Sequence, residues 1–524
     1  MKGLIAAAAV LTFSGVLGAQ APNPTALFDH PADSWPSYHG DYSGRRYSKL
    51  KKINDQNIRH LSLGWVYHIP TTGRGSIKAT PLMVNGILYF SAPDHVWAVD
   101  ARTGRELWHH EWESSGGMHI GNRGVALYGN TVYYETPDCN LVALDVNDGS
   151  ERWHTAICDL DQFYFGSVAP TIVNNQVIVG VSGDDLDRPG YVQSHDPETG
   201  AVKWRWYVTP QKPGDPGADS WPNIEIAKNG GGMTWQPITF DPELNMIYFG
   251  TGNPQPVVAH ANRAGNNLFT ESIVALDANS GKMKWYFQAS PHDTHDWDAT
   301  EAAVLFDGEI DGEPRKLLAQ ASRNGYFFVL DRETGENIVS KPFIKVNWSL
   351  GVNERGEPIP DPQKYPQVDG ALVTPNQGGA TNWEPPAFNP DTGLFYTDAS
   401  QAYSVWYIYD TSANPQGWGG TDRGGYSTSS VKAIDYKTGE VRWTHRWEGA
   451  ARTGLLTTAG NLVFAGDNEQ NIVALDATTG EALWHAGLGA RVSNGPITYE
   501  LDGDQYLTVG AGNTLYSFVM WSDD

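Results

Sequence analysis

Short runs of alternating apolar and polar residues recur along the chain, and turn residues separate them. Seven segments share one pattern: an apolar strand that ends near Asp, a turn of four or five residues with Gly, and a second strand. They read AVDARTGRELW (98–108), ALDVNDGSERW (143–153), SHDPETGAVKW (194–204), ALDANSGKMKW (275–285), VLDRETGENIV (329–339), AIDYKTGEVRW (433–443) and ALDATTGEALW (474–484). Each segment predicts a β-hairpin. Repetition at this length predicts a propeller or a solenoid.

The spacing of the turn Asp residues predicts the number of sheets. The intervals are 41 to 54 residues, apart from two of 81 and 104. Each long interval contains a second strand–turn–strand pattern, TWQPITFDPELNMIYFGT (234–251) or NWEPPAFNPDTGLFYTDA (382–399), followed by an insertion that we expect to be a loop. Each of these long intervals therefore corresponds to a single sheet, or blade, of a propeller, and the seven repeats predict seven blades.

An eighth blade is expected from the two ends of the chain. TLYSFVM (514–520) resembles the first half of the repeat hairpin, and LGWVYH (63–68) resembles its Trp-bearing half. Pairing these strands would close the ring and remove free sheet edges. We predict an all-β, eight-bladed β-propeller with Trp-docking repeats, closed by pairing of N- and C-terminal strands and formed by residues 22–524 as one domain. A seven-bladed ring is the alternative.

Composition and charge narrow the class of protein. The 57 Gly, 32 Pro and 20 Trp suit short strands joined by tight turns. The net charge of −24 disfavours binding to nucleic acid or to an anionic membrane. An apolar run between Leu4 and Leu17 follows Met1-Lys2, which predicts a signal peptide over residues 1–21, and no later run is long enough for a membrane span. In an oxidising compartment, Cys139 and Cys158 are expected to form a disulfide.

One segment concentrates groups that can carry chemistry. SPHDTHDWDAT (290–300) contains Asp293, Asp296 and Asp298 together with His292 and His295, and no helix or strand period explains this density. A solvated acidic turn, a metal site and the base of an enzyme are the alternatives. A zinc site is disfavoured because H-x-x-H in an irregular loop lacks a confirming motif. The two histidines are expected to support the loop or to be exposed.

The repeats and several loop motifs resemble those of the pyrroloquinoline quinone (PQQ)-dependent alcohol dehydrogenases, which are eight-bladed quinoproteins similar to methanol dehydrogenase. The resemblance begins at YSGRRYSKLKKINDQNIRHLSLGWVY (42–67) and continues through GNRGVAL and PRKLLAQASRNGYFFVLDRETGE. It implies PQQ near the propeller axis, above a Trp floor and beside a metal ion. GGGMTW (230–235) resembles the floor loop and makes Trp235 the stacking candidate, since a flat indole suits a flat cofactor.

The resemblance also assigns polar contacts to PQQ. Arg123 in GNRG and Arg323 in SRNGYFF match the cationic contacts that its carboxylates and quinone oxygens require. Further polar contacts are implied for Ser167, Ser182 and Asn382.

The metal ligands implied by the resemblance are Asp185, Asn253, Asp296 and Asp298. Asp185 stands where the family has Glu. Asp296 matches the catalytic base, which takes the proton of an alcohol while hydride leaves for the quinone, with the metal as Lewis acid. Calcium-type members have a small residue at the position of Asp298 and lanthanide-type members have Asp. Three acids and an amide favour a lanthanide, with Ca²⁺ as the alternative.

Four departures from the family pattern keep a second function open. Lys78 replaces a Glu, Met233 replaces a Thr, Asp185 replaces a Glu, and two adjacent cysteines before N-R-G are absent. Lys78 could add a partner for a PQQ carboxylate.

The predicted function is a periplasmic PQQ- and metal-dependent dehydrogenase of an alcohol or aldehyde. It would pass electrons to an external c-type cytochrome, because the chain has no C-x-x-C-H haem motif. The alternative is a non-catalytic propeller that acts as a binding or assembly scaffold.

Overall fold

The structure is a computed structural model that describes residues 33–70, 76–183, 187–449 and 451–520. Within these ranges the regular secondary structure is almost entirely β-strand. The short helical elements are α1 (Ile224–Ala227) and the 3₁₀ turns Ile58–His60, Leu160–Gln162, Ala218–Ser220 and Pro362–Lys364. No helix in this part of the chain is long and apolar enough to cross a membrane. The predicted signal peptide lies outside the described residues.

The strands of the first half of the chain are short and lie close together in sequence. They are β1 (Tyr47–Ser48), β2 (Ser62–His68), β3 (Leu82–Val84), β4 (Ile87–Ala92), β5 (His95–Asp100), β6 (Glu106–Glu111), β7 (Ala126–Tyr128), β8 (Thr131–Glu135), β9 (Asn140–Asp145), β10 (Glu151–Ala156), β11 (Thr171–Ile172), β12 (Val177–Val179), β13 (Tyr191–His195), β14 (Val202–Tyr207), β15 (Thr239–Asp241), β16 (Met246–Gly250), β17 (Ser272–Asp277) and β18 (Met283–Gln288).

The second half contains two longer strands, β27 and β28. Its strands are β19 (Val304–Ile310), β20 (Glu313–Ala321), β21 (Tyr326–Asp331), β22 (Asn337–Pro342), β23 (Ser349–Val352), β24 (Pro358–Pro360), β25 (Ala371–Val373), β26 (Ala387–Asn389), β27 (Leu394–Ile408), β28 (Gly420–Asp435), β29 (Val441–Trp447), β30 (Leu456–Thr458), β31 (Leu462–Gly466), β32 (Asn471–Asp476), β33 (Ala482–Gly487), β34 (Ile497–Leu501), β35 (Asp504–Ala511) and β36 (Thr514–Val519).

These strands form eight sheets of four or more strands in the described part of the chain. Five sheets consist of consecutive strands, β3–β6, β7–β10, β11–β14, β15–β18 and β19–β22, and the others are β25–β29, β30–β33 with β1, and β34–β36 with β2. A small separate sheet contains β23 and β24. In the sheet of β34–β36, β2 pairs antiparallel with β36, so that Ser62 faces Val519 and His68 faces Thr514. Strands from the two ends of the described chain therefore share one sheet.

Each repeat turn contacts a side chain of a neighbouring sheet. Gly149 has φ +72°, and a Cβ at this position would lie 2.5 Å from the ring of Trp108. The Trp108 indole donates a hydrogen bond to the carbonyl of Val146 at 3.0 Å. Glycine is needed at the turn because the indole fills the space of a side chain. The same contact joins Trp65 to Gly104, Trp153 to Gly200, Trp204 to Gly281, Trp285 to Gly335 and Trp443 to Gly480.

The repeat that lacks Trp keeps this contact with a smaller side chain. Val339 approaches Gly439, where a Cβ would lie 2.7 Å from a Val339 methyl carbon. The repeat without Trp therefore contacts the next turn glycine in the same way.

The second insertion differs from the expected loop. After residue 399 the chain continues as strand, and β27 and β28 form one long hairpin in which Ile408 faces Gly420. The reason lies in the alternation of buried and partly exposed residues along β27, which continues into SQAYSVWYI. The insertion is an extension of the blade itself.

Candidate active site

A cavity of about 270 Å³ is lined by loops that leave several of these sheets. It brings together every predicted site residue that lies in the described ranges: Lys78, Arg123, Ser167, Ser182, Trp235, Asn253, Asp296, Asp298, Arg323 and Asn382. Met233, one of the departures from the family pattern, also lines it. Asp185 lies outside the described residues.

The D-W-D segment directs two carboxylates into this cavity. Asp298 accepts hydrogen bonds from the Asn253 backbone N–H at 2.7 Å, the Trp235 indole at 3.0 Å and Arg323 Nη1 at 2.7 Å. Asp296 Oδ2 lies 3.1 Å from Arg323 Nη2. Trp297, between the two acids, is fully buried and stacks on the His295 ring, with the ring centroids 4.3 Å apart. Asp296 and Asp298 therefore line the cavity, whereas the buried Trp297 between them does not.

Arg323 forms ion pairs with both Asp296 and Asp298, and its positive charge offsets their negative charges. Burial alone would lower the pKa of its guanidinium, but Asp296, Asp298 and Glu301 outweigh this effect and raise the pKa above its ordinary value. Burial raises the pKa of Asp298, and the charge of Arg323 opposes that shift. A permanently charged guanidinium is thus fixed beside two carboxylates.

Glycines allow the loop that carries Trp235 to pack closely against the acids. Gly231 has φ +84°, and a Cβ there would lie 2.6 Å from the carbonyl oxygen of Asn253. A Cβ on Gly252 would lie 2.7 Å from Asp298 Oδ1. Larger residues would push the indole away from the carboxylate that accepts its N–H.

Cations and hydroxyls form another part of the lining. The Arg123 guanidinium carbon lies 4.7 Å from the Trp235 ring centroid, and Arg123 donates to Ser167 Oγ at 2.7 Å. The Ser167 and Ser182 hydroxyls are 2.7 Å apart. Burial lowers the pKa of Arg123 to about 10, so the group stays charged at neutral pH. Lys78 donates to the carbonyl of Ile120, and burial, then Arg123, lowers its pKa.

The structure adds residues that the sequence motifs did not single out. Trp383 lies 5.7 Å from the Arg123 guanidinium carbon and 5.8 Å from Lys78 Nζ, measured to its ring centroid. Gln377 donates to Asp296 Oδ2. Trp383 follows Asn382 in the ATNW motif, which was the available signal, whereas nothing in the sequence pattern marked Gln377.

The histidines of segment 290–300 support loops. His292 Nε2 lies 2.9 Å from His260 Nδ1, and His295 Nε2 lies 3.0 Å from the Lys364 carbonyl. Burial lowers the pKa of both to about 3, so they are neutral. Asp293 accepts the N–H groups of His295 and Trp297. Across the described ranges no three His, Cys, Asp or Glu side chains cluster as metal ligands.

The predicted disulfide between Cys139 and Cys158 is confirmed, with the Cα atoms 5.1 Å apart. Cys139 belongs to a buried cluster with Met233, and Cys158 and Trp235 pack against that cluster. The disulfide therefore packs in the same cluster as two residues of the Trp235 loop, Met233 and Trp235.

Comparison with known proteins identifies the family. Residues 35–347 match the family model of the PQQ glucose/ethanol/alcohol dehydrogenase β-propeller domain. The chain is 38% identical over 518 residues to the quinohemoprotein alcohol dehydrogenase of Comamonas testosteroni, covering 91% of this chain and 72% of that protein. The chain belongs to the PQQ-dependent alcohol dehydrogenases. It is 35% identical to the quinoprotein alcohol dehydrogenase PedH of Pseudomonas putida, covering 90% of this chain and 84% of that protein.

Solved structures of PQQ-dependent alcohol dehydrogenases agree with the fold. The quinohemoprotein alcohol dehydrogenase ADHIIG of Pseudomonas putida matches with a TM-score of 0.90 at 32% identity, covering 96% of this chain and 83% of that chain. A europium-containing methanol dehydrogenase matches with a TM-score of 0.87 at 27% identity, covering 94% and 100%. Residues 427–519, which contain the last two repeats, also match the model of outer membrane protein assembly factor BamB. The predicted family, the all-β propeller and the oxidoreductase activity on alcohols are confirmed.

The residues of the cavity fit a flat polyanionic cofactor beside a cation. Arg123 Nε and Arg323 Nε are buried without a hydrogen-bond partner among the described residues, so both guanidinium groups can take another acceptor. Asp296, Asp298 and Asn253 are oxygen donors in the same cavity, and hard cations prefer such donors.

Proposed function

We propose that Asp296 is the base that accepts the hydroxyl proton of the alcohol. When bound, PQQ supplies the hydride acceptor. The observation that carries the proposal is the ion-paired set of Asp296, Arg323 and Asp298 in the cavity that also holds Trp235. Arg323 favours the ionised form of Asp296, the form that a base requires. Because these side chains are buried, the electrostatic contacts between them are weakly screened by solvent.

The cofactor contacts follow from the same cavity. Trp235 would form the floor for the PQQ ring system, and Lys78, Arg123 and Arg323 would neutralise its carboxylate and quinone oxygens. Hydroxyl and amide contacts would come from Ser167, Ser182 and Asn382. The Asn382 amide is held within its loop, since it donates to the Gly378 carbonyl at 3.0 Å.

One metal ion, a lanthanide or Ca²⁺, would bind to Asp296, Asp298, Asn253 and Asp185. Asp298 Oδ1 accepts one hydrogen bond, from the Asn253 N–H, and a carboxylate oxygen has capacity for a second partner. The similarity to a europium-containing methanol dehydrogenase supports a lanthanide.

We also infer that residues 22–524 form one domain and that the eight sheets close into an eight-bladed ring. Two contacts support closure: β2 pairs with β36, and Trp65 of β2 packs on Gly104 in the turn between β5 and β6. Trp484 of β33 meets Phe518 of β36, with ring centroids 5.5 Å apart, which supports the contact between the last two sheets.

A periplasmic location and an external c-type cytochrome as acceptor complete the proposal. The predicted signal peptide supports the location. A relative called 1-butanol dehydrogenase (cytochrome c), from Thauera butanivorans, supports the acceptor; it is 32% identical over 522 residues and the match covers 91% of this chain and 74% of that protein. The substrate is an alcohol, or an aldehyde in its hydrated form.

The test is reconstitution of the purified protein and of Asp296→Ala with PQQ and either Ca²⁺ or a lanthanide. We expect quinone absorbance in both proteins, and alcohol-dependent dye reduction only in the parent protein. Asp369→Ala, at an exposed position, is the control and should keep full turnover. Turnover retained by Asp296→Ala would reject the assigned base. Absence of bound quinone with either ion would favour the scaffold alternative.

A further inference from the structure

Gln377 contacts the proposed base from a loop that wraps around Arg323. Its side-chain amide donates to Asp296 Oδ2, and its backbone carbonyl accepts from Arg323 Nη2 at 2.8 Å. Arg323 Nη2 also lies 3.1 Å from Asp296 Oδ2. The three residues therefore form a closed ring of hydrogen bonds that includes one oxygen of the carboxylate.

Several hydrogen bonds hold the loop around Gln377 in place. Arg452 donates hydrogen bonds of 2.6 and 2.9 Å to the carbonyls of the two glycines that follow Gln377. The indole of Trp297, next to the proposed base, donates at 2.9 Å to the carbonyl of the residue before Gln377. The N–H of Ala380 donates to the Arg323 carbonyl at 2.8 Å. Gln377 is thus held in a fixed position relative to Asp296, unlike a side chain on a hinged lid.

The backbone has positive φ at Asp296 and at Gly379, two residues after Gln377. Asp296 has φ +59°, a conformation that non-glycine residues rarely adopt and that needs support from the surrounding structure. Gly379 has φ +81°, and a Cβ there would lie 2.8 Å from the Arg323 Cβ. The loop can approach Arg323 closely, and carry Gln377 to Asp296, because this position has no side chain.

We propose that Gln377 is a positioning residue that fixes the orientation of the Asp296 carboxylate; this rests on the proposed role of Asp296 as base. A base must lie within hydrogen-bond reach of the proton that it takes, and a displacement of about 1 Å can reduce the rate about a hundredfold. Arg323 and the amide of Gln377 both donate to Oδ2, and the second donor further restricts rotation of the carboxylate about its Cβ–Cγ bond.

The experiment compares three variants of the reconstituted protein. Gln377→Ala removes the amide, and Gln377→Glu keeps its size but removes the donor when ionised. Gln401→Ala is the matched control, because the Gln401 amide donates at 2.8 Å to Thr374 Oγ1, near the start of the same loop, and not to Asp296. We expect kcat to fall about tenfold to a hundredfold in both Gln377 variants, with KM for the alcohol within about twofold. Bound PQQ, measured by absorbance, and the Tm should match those of Gln401→Ala.

The results separate this role from packing and from the proposed base. Full activity in Gln377→Glu, or a fall in kcat that equals the loss of bound PQQ, would assign Gln377 a packing role and overturn the proposal. So would equal kcat values for Gln377→Ala and Gln401→Ala when Asp296→Ala is inactive, in which case the base assignment stands. Turnover in Asp296→Ala would overturn both assignments, whatever the Gln377 variants do.

Discussion

The two carboxylates of the D-W-D segment are two residues apart but have different surroundings. Asp298 accepts three hydrogen bonds, from a backbone N–H, an indole and a guanidinium, which fix both of its oxygens. Asp296 stands on backbone with positive φ, and Arg323 and Gln377 both donate to its Oδ2. This difference suits the two proposed roles, with Asp298 as a metal ligand only and Asp296 as a ligand that is also the base.

Glu135 is a buried carboxyl group whose protonation should affect stability. Its Oε2 accepts the N–H groups of Ser167 and Val168, and burial raises its pKa to about 8, against the lowering effects of these bonds and of Arg123. The folded state therefore holds a proton that the unfolded chain loses near pH 4.5. Since the folded state binds more protons between these values, stability falls as pH rises from about 4.5 to 8, by at most about 1.4 kcal/mol per pH unit.

Glu135→Gln should remove this dependence while its side-chain oxygen still accepts the two N–H groups. We expect the stability of Glu135→Gln relative to the parent protein, measured by urea unfolding, to increase as pH rises from 5 to 8, because only the parent protein loses stability through Glu135 over this range. Glu198→Gln, at an exposed position, is the control and should change little. A constant difference across this range would show that Glu135 does not titrate in this way.

The sequence of the repeat hairpin predicts how the hairpin packs, because its turn glycine contacts the Trp of a neighbouring repeat. The contact of Gly149 with Trp108 can be tested against Gly129, which lies in the same sheet and has φ +59°, and where a Cβ would meet no other atom within 4 Å. Alanine at either position forces a side chain into positive φ, but only Gly149→Ala also overlaps the indole. We expect Gly149→Ala to cost about 1–3 kcal/mol more than Gly129→Ala in urea unfolding, the range for an overfilled core. Equal losses would mean that backbone strain alone requires glycine at this turn.

How much could be predicted from sequence differs between repeats and loops. The D-x-x-x-G turns were predictable because Asp100 and its equivalents bond the next backbone N–H groups, a local interaction that sequence records directly. The residues around the cavity were located by loop motifs of a known family. Gln377 reaches Asp296 through a contact of 81 residues in sequence separation. No local pattern encodes such a contact. The long hairpin of β27 and β28 is a different case, because the alternation along β27 is a local pattern that continues into the segment expected to be a loop.

At the scale of the whole molecule, the propeller brings distant loops to one cavity. Lys78 precedes β3 and Arg323 precedes β21, yet both line the same space as Asn382, which precedes β26. Seven contacts of Trp or Val with a turn glycine, and the Trp484–Phe518 contact, join neighbouring sheets, so the positions of these loops depend on the sheets between them. A long chain is therefore needed to hold a site of about 270 Å³.

The net charge of −24 should influence how electron acceptors approach the enzyme. Long-range attraction raises the encounter rate of a cationic acceptor and is screened as the Debye length falls from about 30 Å at 0.01 M salt to about 3 Å at 1 M. We expect the second-order rate constant for reduction of a cationic dye to fall severalfold as salt increases, and that of an anionic dye to rise. A neutral dye is the control, because salt effects on the alcohol reaction itself would appear with all three. If the cationic and anionic dyes respond alike, net charge does not steer the acceptor, and any basic cytochrome partner would have to be recognised by a local surface.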